Sequence, residues 1–289
     1  MNAAGSFVVN GAARLRSGPH PDRARQDAEI LLLHILEKGK AWLMAHGDEE
    51  LSGEQAAHFM ELLERRYRGE PMQYILGRAE FYGLSFRVIP DVLIPRPETE
   101  HLVEKVIEIA GGVEAPRIVD VGTGSGCIAI ALAHQLPGAT ITAIDFSGAA
   151  LTIAQENAER NGLAHRIRFL QGDLLDPVAG HQFDIVVSNP PYVSLNDRGS
   201  LAVEVRDHEP GLALFAGDDG LDIYRRLIPA AFSALVPDGF AALEIGHGQS
   251  QVIAGLLTDA GFDRIEFVPD LQSIPRVAVA RRPAGQPHE

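Results

Sequence analysis

The chain runs to 289 residues, enough for one large domain or a large and a small one. With 46% hydrophobic and 22% charged residues it has a globular composition, no stretch nears the roughly 20 apolar residues of a membrane span, and its single cysteine, Cys127, excludes an internal disulfide or a cysteine-cluster metal site. The formal charge of −14 is uneven, ten Lys/Arg against twelve Asp/Glu over residues 1–80 and fifteen against twenty-seven over 81–289, and so acidic a body argues against bulk nucleic-acid binding, which needs a basic footprint.

The start, Met1-Asn2-Ala3-Ala4-Gly5, lacks the charged and apolar regions of a signal peptide, so a cytoplasmic protein is expected. From Asp22 to about Arg68 the pattern is helical. Ala28, Ile30, Leu31, Leu32, Ile35 and Leu36 fall at helical spacing with Gly39 as the stop, and Trp42-Leu43-Met44 begin a short second helix. A third starts at Ser52, a candidate cap, with Phe59, Leu62 and Leu63 on one face. His34, His46 and His58 lack metal-ligand spacing, and this part reads as a docking module without chemistry of its own. Glu80 to Val88 reads as a hairpin around Gly83. Pro97 suits the first turn of a helix to about Ala110, with Glu98 and Glu100 at its positive end.

Strands and helices then alternate: strand 117–121, helix 125–135, strand 140–145, helix 149–160, strands 167–170 and 183–187, helix 221–235, strand 240–245, helix 251–260, strands 265–268 and 277–280. Such alternation predicts a mostly parallel, doubly wound α/β sheet. Pro283 to Glu289 are expected to fray.

Chemistry gathers at three strand ends. Gly122, Thr123, Gly124, Ser125 and Gly126 follow the first sheet strand, where glycines permit a tight turn and bring backbone N–H groups close to a ligand. The dinucleotide pattern is broken by Cys127 in the place of its third glycine, and Cys127 itself reads as a small buried side chain. Asp145 ends the next strand and suits the two hydroxyls of a ribose. Asp173 ends the third strand, and either meets an adenine amino group or caps the turn from Leu174. After the run Phe183 to Val187 comes Ser188-Asn189-Pro190-Pro191-Tyr192. Pro190 cannot donate to a sheet ladder and holds Asn189 extended, so a stiff loop presents an amide, a carbonyl and a ring at the edge where open α/β sheets bind ligands.

Glycine loop, ribose acid, strand-end acid and Asn-Pro-Pro-Tyr stand in the order of the class I S-adenosylmethionine-dependent methyltransferases, which the chain resembles. Asn-Pro-Pro-Tyr is similar to the motif of enzymes that methylate a planar NH2 group, adenine N6 or a glutamine side chain. Over nearly its whole length the chain resembles the release factor glutamine methyltransferases (PrmC, also called HemK). The matching stretches include Asp27 to Leu32, Gly69 to Gly77, Ile94 to Glu100, Asp120 to Ala131, Asp184 to Tyr192, Val205 to Pro210 and Gly217 to Tyr224. Arg96-Pro97-Glu98-Thr99-Glu100 is more particular to that branch than to its sister, which methylates a ribosomal-protein glutamine.

The resemblance implies a seven-stranded methyltransferase domain over 96–289, a hairpin linker over 80–95, and a helical domain over 1–79 that docks the substrate. It implies S-adenosyl-L-methionine as co-substrate and no metal, with Gly122, Thr123, Gly124, Ser125, Gly126, Asp145, Asp173, Leu174 and Asn189 toward the cofactor. Leu174 stands where some members carry an aromatic residue. Asn189, Pro190 and Tyr192 would be catalytic and, with Pro191, would hold the substrate. The implied reaction methylates the glutamine of the Gly-Gly-Gln motif of class I peptide chain release factors, with no nucleic-acid or membrane partner. Methylation of a ribosomal-protein glutamine or of adenine N6 are the alternatives.

Overall fold

The computed structural model describes residues 3–284, so the expected fraying of residues 285–289 lies outside the described part. By contacts the chain divides into two units, one running up to Arg78 together with Leu201–His208, the other comprising Ala79–Ser200 and the residues from Glu209 onward.

The first unit is helical: α1 Ala4–Leu15, α2 Ala24–Leu36, α3 Lys40–Ala45, α4 Gly53–Tyr67, α5 Met72–Leu76, and α9 Val203–His208 from the later excursion. The sequence reading did not include α1. It buries Ala4, Val8, Gly11, Ala12 and Leu15, a stripe at helical spacing whose residues are mostly too small to announce it. Leu31 and Leu32 of α2 and Phe59, Leu62 and Leu63 of α4 complete the core. Ser52 caps α4 as expected, its hydroxyl accepting from the Gln55 N–H while the Gln55 side chain accepts from the Ser52 N–H. The stop of α2 differs from expectation. Glu37 takes the left-handed conformation (φ 54°) and the Lys38 N–H returns to the Leu33 carbonyl, leaving Gly39 to precede α3. At the centre, Arg66 and Asp27 form a buried ion pair at 2.7 Å, and Arg66 also pairs with Glu204 of α9.

The second unit opens with the expected hairpin, β1 Arg78–Phe81 and β2 Leu84–Arg87. Glu100 accepts from the Tyr82 N–H at 2.7 Å, so this acid ties the hairpin turn as well as facing a helix start. That helix, α6 Thr99–Ala110, begins two residues beyond Pro97. Then follow β3 Arg117–Val121, α7 Cys127–Gln135, β4 Thr140–Asp145, α8 Gly148–Arg160, β5 Ile167–Gln171 and β6 Phe183–Ser188. α10 Gly211–Leu214, α11 Asp222–Ala234, β7 Leu235–Glu244, α12 Ser250–Asp259, β8 Asp263–Pro269 and β9 Pro275–Arg281 complete it. The helices α9 and α10 lie in a stretch to which the sequence reading assigned no element.

Seven strands form one sheet in the order β5-β4-β3-β6-β7-β9-β8, with β9 and β8 antiparallel to their neighbours and the other pairs parallel. The strands are apolar on both faces. Ile118 packs with Leu102, Val106 and the α7 residues on one side, and Val119 with Tyr224, Leu227 and Ile228 of α11 on the other. The chain winds outward from β3 through β4 to β5, then returns to β6 on the far side of β3. The crevice between the ends of β3 and β6 is therefore the topological switch point, where the register sets Val121 beside Ser188.

Candidate active site

The loop after β3 is fixed from beneath. Gly122 and Thr123 donate their N–H groups to the Ile144 carbonyl at 2.8 and 2.9 Å, and the Gly124 N–H donates to an Asp145 carboxylate oxygen at 2.8 Å. The other Asp145 oxygen accepts from the Ser147 N–H, also at 2.8 Å. Burial holds the Asp145 carboxyl above its ordinary pKa, and each oxygen keeps lone pairs for further donors. Gly122 and Gly124 have φ of 73° and 55°, and a Cβ on either would stand in open space. Glycine is required there for backbone conformation, and its bareness leaves room in front of the loop. At Gly126 a Cβ would come within 3.0–3.2 Å of Ile130 and Ala154, so this glycine lets α7 and α8 pack.

A cavity of about 460 Å³ lies in front of the loop, bordered by Gly122, Gly124, Asp145, Phe146, Asp173, Leu174, Asn189 and Pro191, with Asp91, Leu212 and Ile223 farther along its wall. The structure thus brings most of the residues singled out in the sequence to one cavity. Thr123, Ser125, Gly126 and Pro190 do not border it. Thr123 and Ser125 are buried, and the Thr123 hydroxyl donates to Asp120 at 2.6 Å. Burial pushes the Asp120 carboxyl up to about 7, and Cys127 behind it is an ordinary thiol pushed up to about 12 by the same cause. Asp173 borders the cavity with its carboxylate held by Arg226 at 2.5 Å, and its carbonyl accepts from Asp176. Leu174 sits in the left-handed region (φ 49°) on the cavity wall.

Across the cavity, β6 delivers Asn189. The Ser188 hydroxyl donates to the Val121 carbonyl at 2.6 Å and locks the strand end to β3. The Asn189 side-chain NH2 donates to the Thr99 hydroxyl at 3.1 Å. Among the described residues no donor takes up the Asn189 side-chain oxygen or the Pro190 carbonyl, so two hydrogen-bond acceptors stand open on successive residues, of which Asn189 borders the cavity. Tyr192 does not border the cavity. Its hydroxyl points to Glu244 at 3.4 Å, its ring passes so close to Gly246 that a Cβ there would stand 3.0 Å away, and its carbonyl accepts from Gln249. Burial, with Glu244 alongside, pushes the phenol well above its ordinary pKa, so it stays protonated.

Three positions that hold the site's elements together are not evident from the sequence. Glu244, 2% exposed at the end of β7, accepts from the Thr99 hydroxyl at 2.6 Å, and burial pushes it up to about 7. It read as one more strand residue, although an acid closing an apolar run is a signal. Thr99 read only as part of a helix start. Asn157 of α8 donates to the Ser125 and Arg87 carbonyls at 2.9 and 3.0 Å and accepts from the Arg87 N–H at 2.7 Å, binding the glycine loop to the hairpin. Nothing in its local sequence signals that role.

Residues 8–77 match the PrmC N-terminal domain family and residues 98–205 the methyltransferase small domain family. The chain is 46% identical to a release factor glutamine methyltransferase of Moorella thermoacetica over 276 residues, 95% of this chain and 97% of that one. It is 44% identical to one from Koribacter versatilis over 262 residues, 90% and 92% of the two chains. Among solved structures, a T. thermophilus 16S rRNA methyltransferase in complex with AdoMet and guanosine matches 71% of this chain and 49% of its own at a TM-score of 0.54 and 21% identity, a likeness of fold.

Proposed function

The chain belongs to the release factor glutamine methyltransferases, and from that premise we propose how its residues perform the reaction. It transfers a methyl group from S-adenosylmethionine to the side-chain amide nitrogen of the glutamine in the Gly-Gly-Gln motif of class I release factors. The cavity suits the nucleoside end of that co-substrate: Asp145 has lone pairs left for ribose hydroxyls, Gly122 and Gly124 leave the loop bare, and Phe146, Leu174 and Leu212 supply apolar wall. Bound there, S-adenosylmethionine supplies a sulfonium-activated methyl group, to which the amide nitrogen forms its new bond as the carbon–sulfur bond breaks toward sulfur.

The chemical difficulty lies with the acceptor, because an amide lone pair is delocalised into its carbonyl. The Asn189 oxygen and the Pro190 carbonyl each accept one N–H of the target, which raises electron density on the nitrogen and stabilises the positive charge that grows there. The same two bonds orient the nitrogen for in-line attack. The methylated nitrogen is acidic and gives its extra proton to water. Tyr192 supports the loop from behind through Glu244 and Gly246. We assign the helical residues 1–79 to docking the factor, 80–95 to the hairpin linker and 96–289 to the transferase, acting in the cytoplasm without metal. Among the described residues no helix is long and apolar enough to cross a membrane.

The observation that carries this reading is the pair of free acceptors on successive residues, the Asn189 oxygen and the Pro190 carbonyl, with Asn189 bordering a nucleoside-sized cavity. Substituting Asn189→Ala removes one of them, and kcat should fall roughly 10²–10³-fold, the effect of losing one preorganised group in other enzymes. Asn189→Asp keeps an acceptor and should retain more activity than alanine. Normal turnover by Asn189→Ala at saturating substrate would reduce the loop to a structural element.

A further inference from the structure

Behind the Asn189 amide lies a line of hydrogen bonds with a defined direction. Glu244, at the end of β7 and 2% exposed, meets hydroxyls rather than a cation: one carboxylate oxygen accepts from Thr99 at 2.6 Å, the other from Tyr192 at 3.4 Å. Thr99, the first residue of α6 and also 2% exposed, has its hydroxyl oxygen 3.1 Å from the Asn189 side-chain nitrogen. A hydroxyl carries one proton. Thr99 commits its proton to the carboxylate, so toward Asn189 its oxygen only accepts. The amide must then turn its NH2 to Thr99, since the flipped amide would set two lone-pair oxygens against each other. Its own oxygen is left without a donor among the described residues, on a residue that borders the cavity.

We infer that Glu244 and Thr99 are positioning residues that set the direction of the Asn189 amide, so that the target meets an acceptor and not a donor. The inference rests on the reading of Asn189 as acceptor for the target amide. A flipped Asn189 would offer N–H to a group that also has only N–H to give, and the site would repel the nitrogen it exists to activate. Mere anchoring of the loop would not need this polarity. Any contact of the right size would serve, and the charge state of Glu244 would not matter.

That charge state does matter here, because a protonated Glu244 can donate to Thr99 and free the hydroxyl proton to turn toward Asn189. Burial places this carboxyl at about 7, with Glu98 before α6 raising it, Arg276 of β9 lowering it, and the Thr99 and Tyr192 hydroxyls favouring the charged form. Tyr224 of α11 faces the same residue through the Glu244 backbone carbonyl, at 2.6 Å. Activity should therefore fall as pH drops through this region.

The test measures initial rates of methyl transfer to a release factor on both sides of pH 7, with calorimetric S-adenosylmethionine affinity and circular dichroism as controls. Thr99→Val keeps the shape and removes the hydroxyl. Its kcat should drop roughly tenfold, the order of one directional hydrogen bond, with cofactor affinity unchanged, while Thr99→Ser restores most of the rate. Glu244→Gln, whose amide both donates and accepts, should lose rate and lose the acid limb of the profile. Wild-type kcat in Thr99→Val, or failure of serine to rescue, overturns the inference. If Thr99→Val does not fold, an acid limb that persists in Glu244→Gln does the same. A wild-type enzyme that leaves the release factor unmethylated would instead sink the functional reading and this inference with it.

Discussion

Asp27 in the helical unit and Glu244 in the transferase unit are both nearly inaccessible to water, at 1% and 2% exposure, yet their surroundings treat them in opposite ways. Asp27 faces a guanidinium: Arg66 bonds it at 2.7 Å and also holds Glu204 and the Glu70 carbonyl. Its charge is matched locally. Glu244 has only hydroxyl donors on its carboxylate, and burial leaves it close to neutrality in its proton balance. The first arrangement holds helices together. The second leaves a carboxylate whose protonation is open to change, joined through the Thr99 hydroxyl to the amide proposed to do the chemistry. A buried acid with a cation is a fastener, while one without is a group the fold retains at a cost for what it orients.

This contrast predicts where substitution acts. Asp27→Ala strands the Arg66 guanidinium in the helical core, and should lower the unfolding free energy of that unit by about 3–5 kcal/mol, as breaking other buried pairs does. Urea unfolding followed by circular dichroism measures it. A loss near that of a surface pair would show that water or Glu204 compensates Arg66 and that the fastening is weak. In the transferase unit the matching loss is of affinity. Asp145→Ala would remove the ribose contacts proposed for it and should weaken S-adenosylmethionine binding by about 1–3 kcal/mol, or one to two decades in Kd. Calorimetry showing unchanged affinity would remove Asp145 from the ribose site.

Per pH unit, the smallest effect is the pH dependence of stability. Asp120 and Glu244 are both pushed up to about 7 in the folded chain, from ordinary values of 3.8 and 4.5. Below those ordinary values both are protonated in folded and unfolded chains, and the contribution is fully present. Between there and about 7 the folded state holds protons that the unfolded chain has released, so stability falls as pH rises, by at most about 1.4 kcal/mol per pH unit for each carboxyl. Above that window the loss is complete and the curve flattens. Asp120→Asn should take out its share of the slope. A slope of opposite sign would mean these carboxyls are better compensated than their burial indicates.

The alternation of strand and helix, the switch-point loops and Asp145 were legible because each is local. Ile118 and Val119 announce a strand buried on two sides, Pro190 ends one, and an acid at a strand end needs no partner to be noticed. α1 stayed hidden because Ala4, Gly11 and Ala12 pack by being small, which composition does not register as a stripe. The Thr99–Glu244 bond joins residues 145 apart and exists only once α6 is laid beside the end of β7, and the Arg66–Glu204 pair, 138 apart, is of the same kind. Thr123 and Tyr192 could be named from the motif, but their places off the cavity could not, since these depend on Asp120 and Gly246.

The account stands most directly on what the wild-type enzyme methylates. Purified chain, S-adenosylmethionine and a class I release factor should be incubated with a structured adenine-containing RNA in the same tube, the protein then followed by intact mass and the RNA by nucleoside analysis. The release factor should gain the mass of one methyl group, located by peptide fragmentation on the glutamine of Gly-Gly-Gln, with the RNA unchanged. Methyladenine in the RNA with an unmodified release factor, or a methyl group on any other residue of the factor, would contradict it.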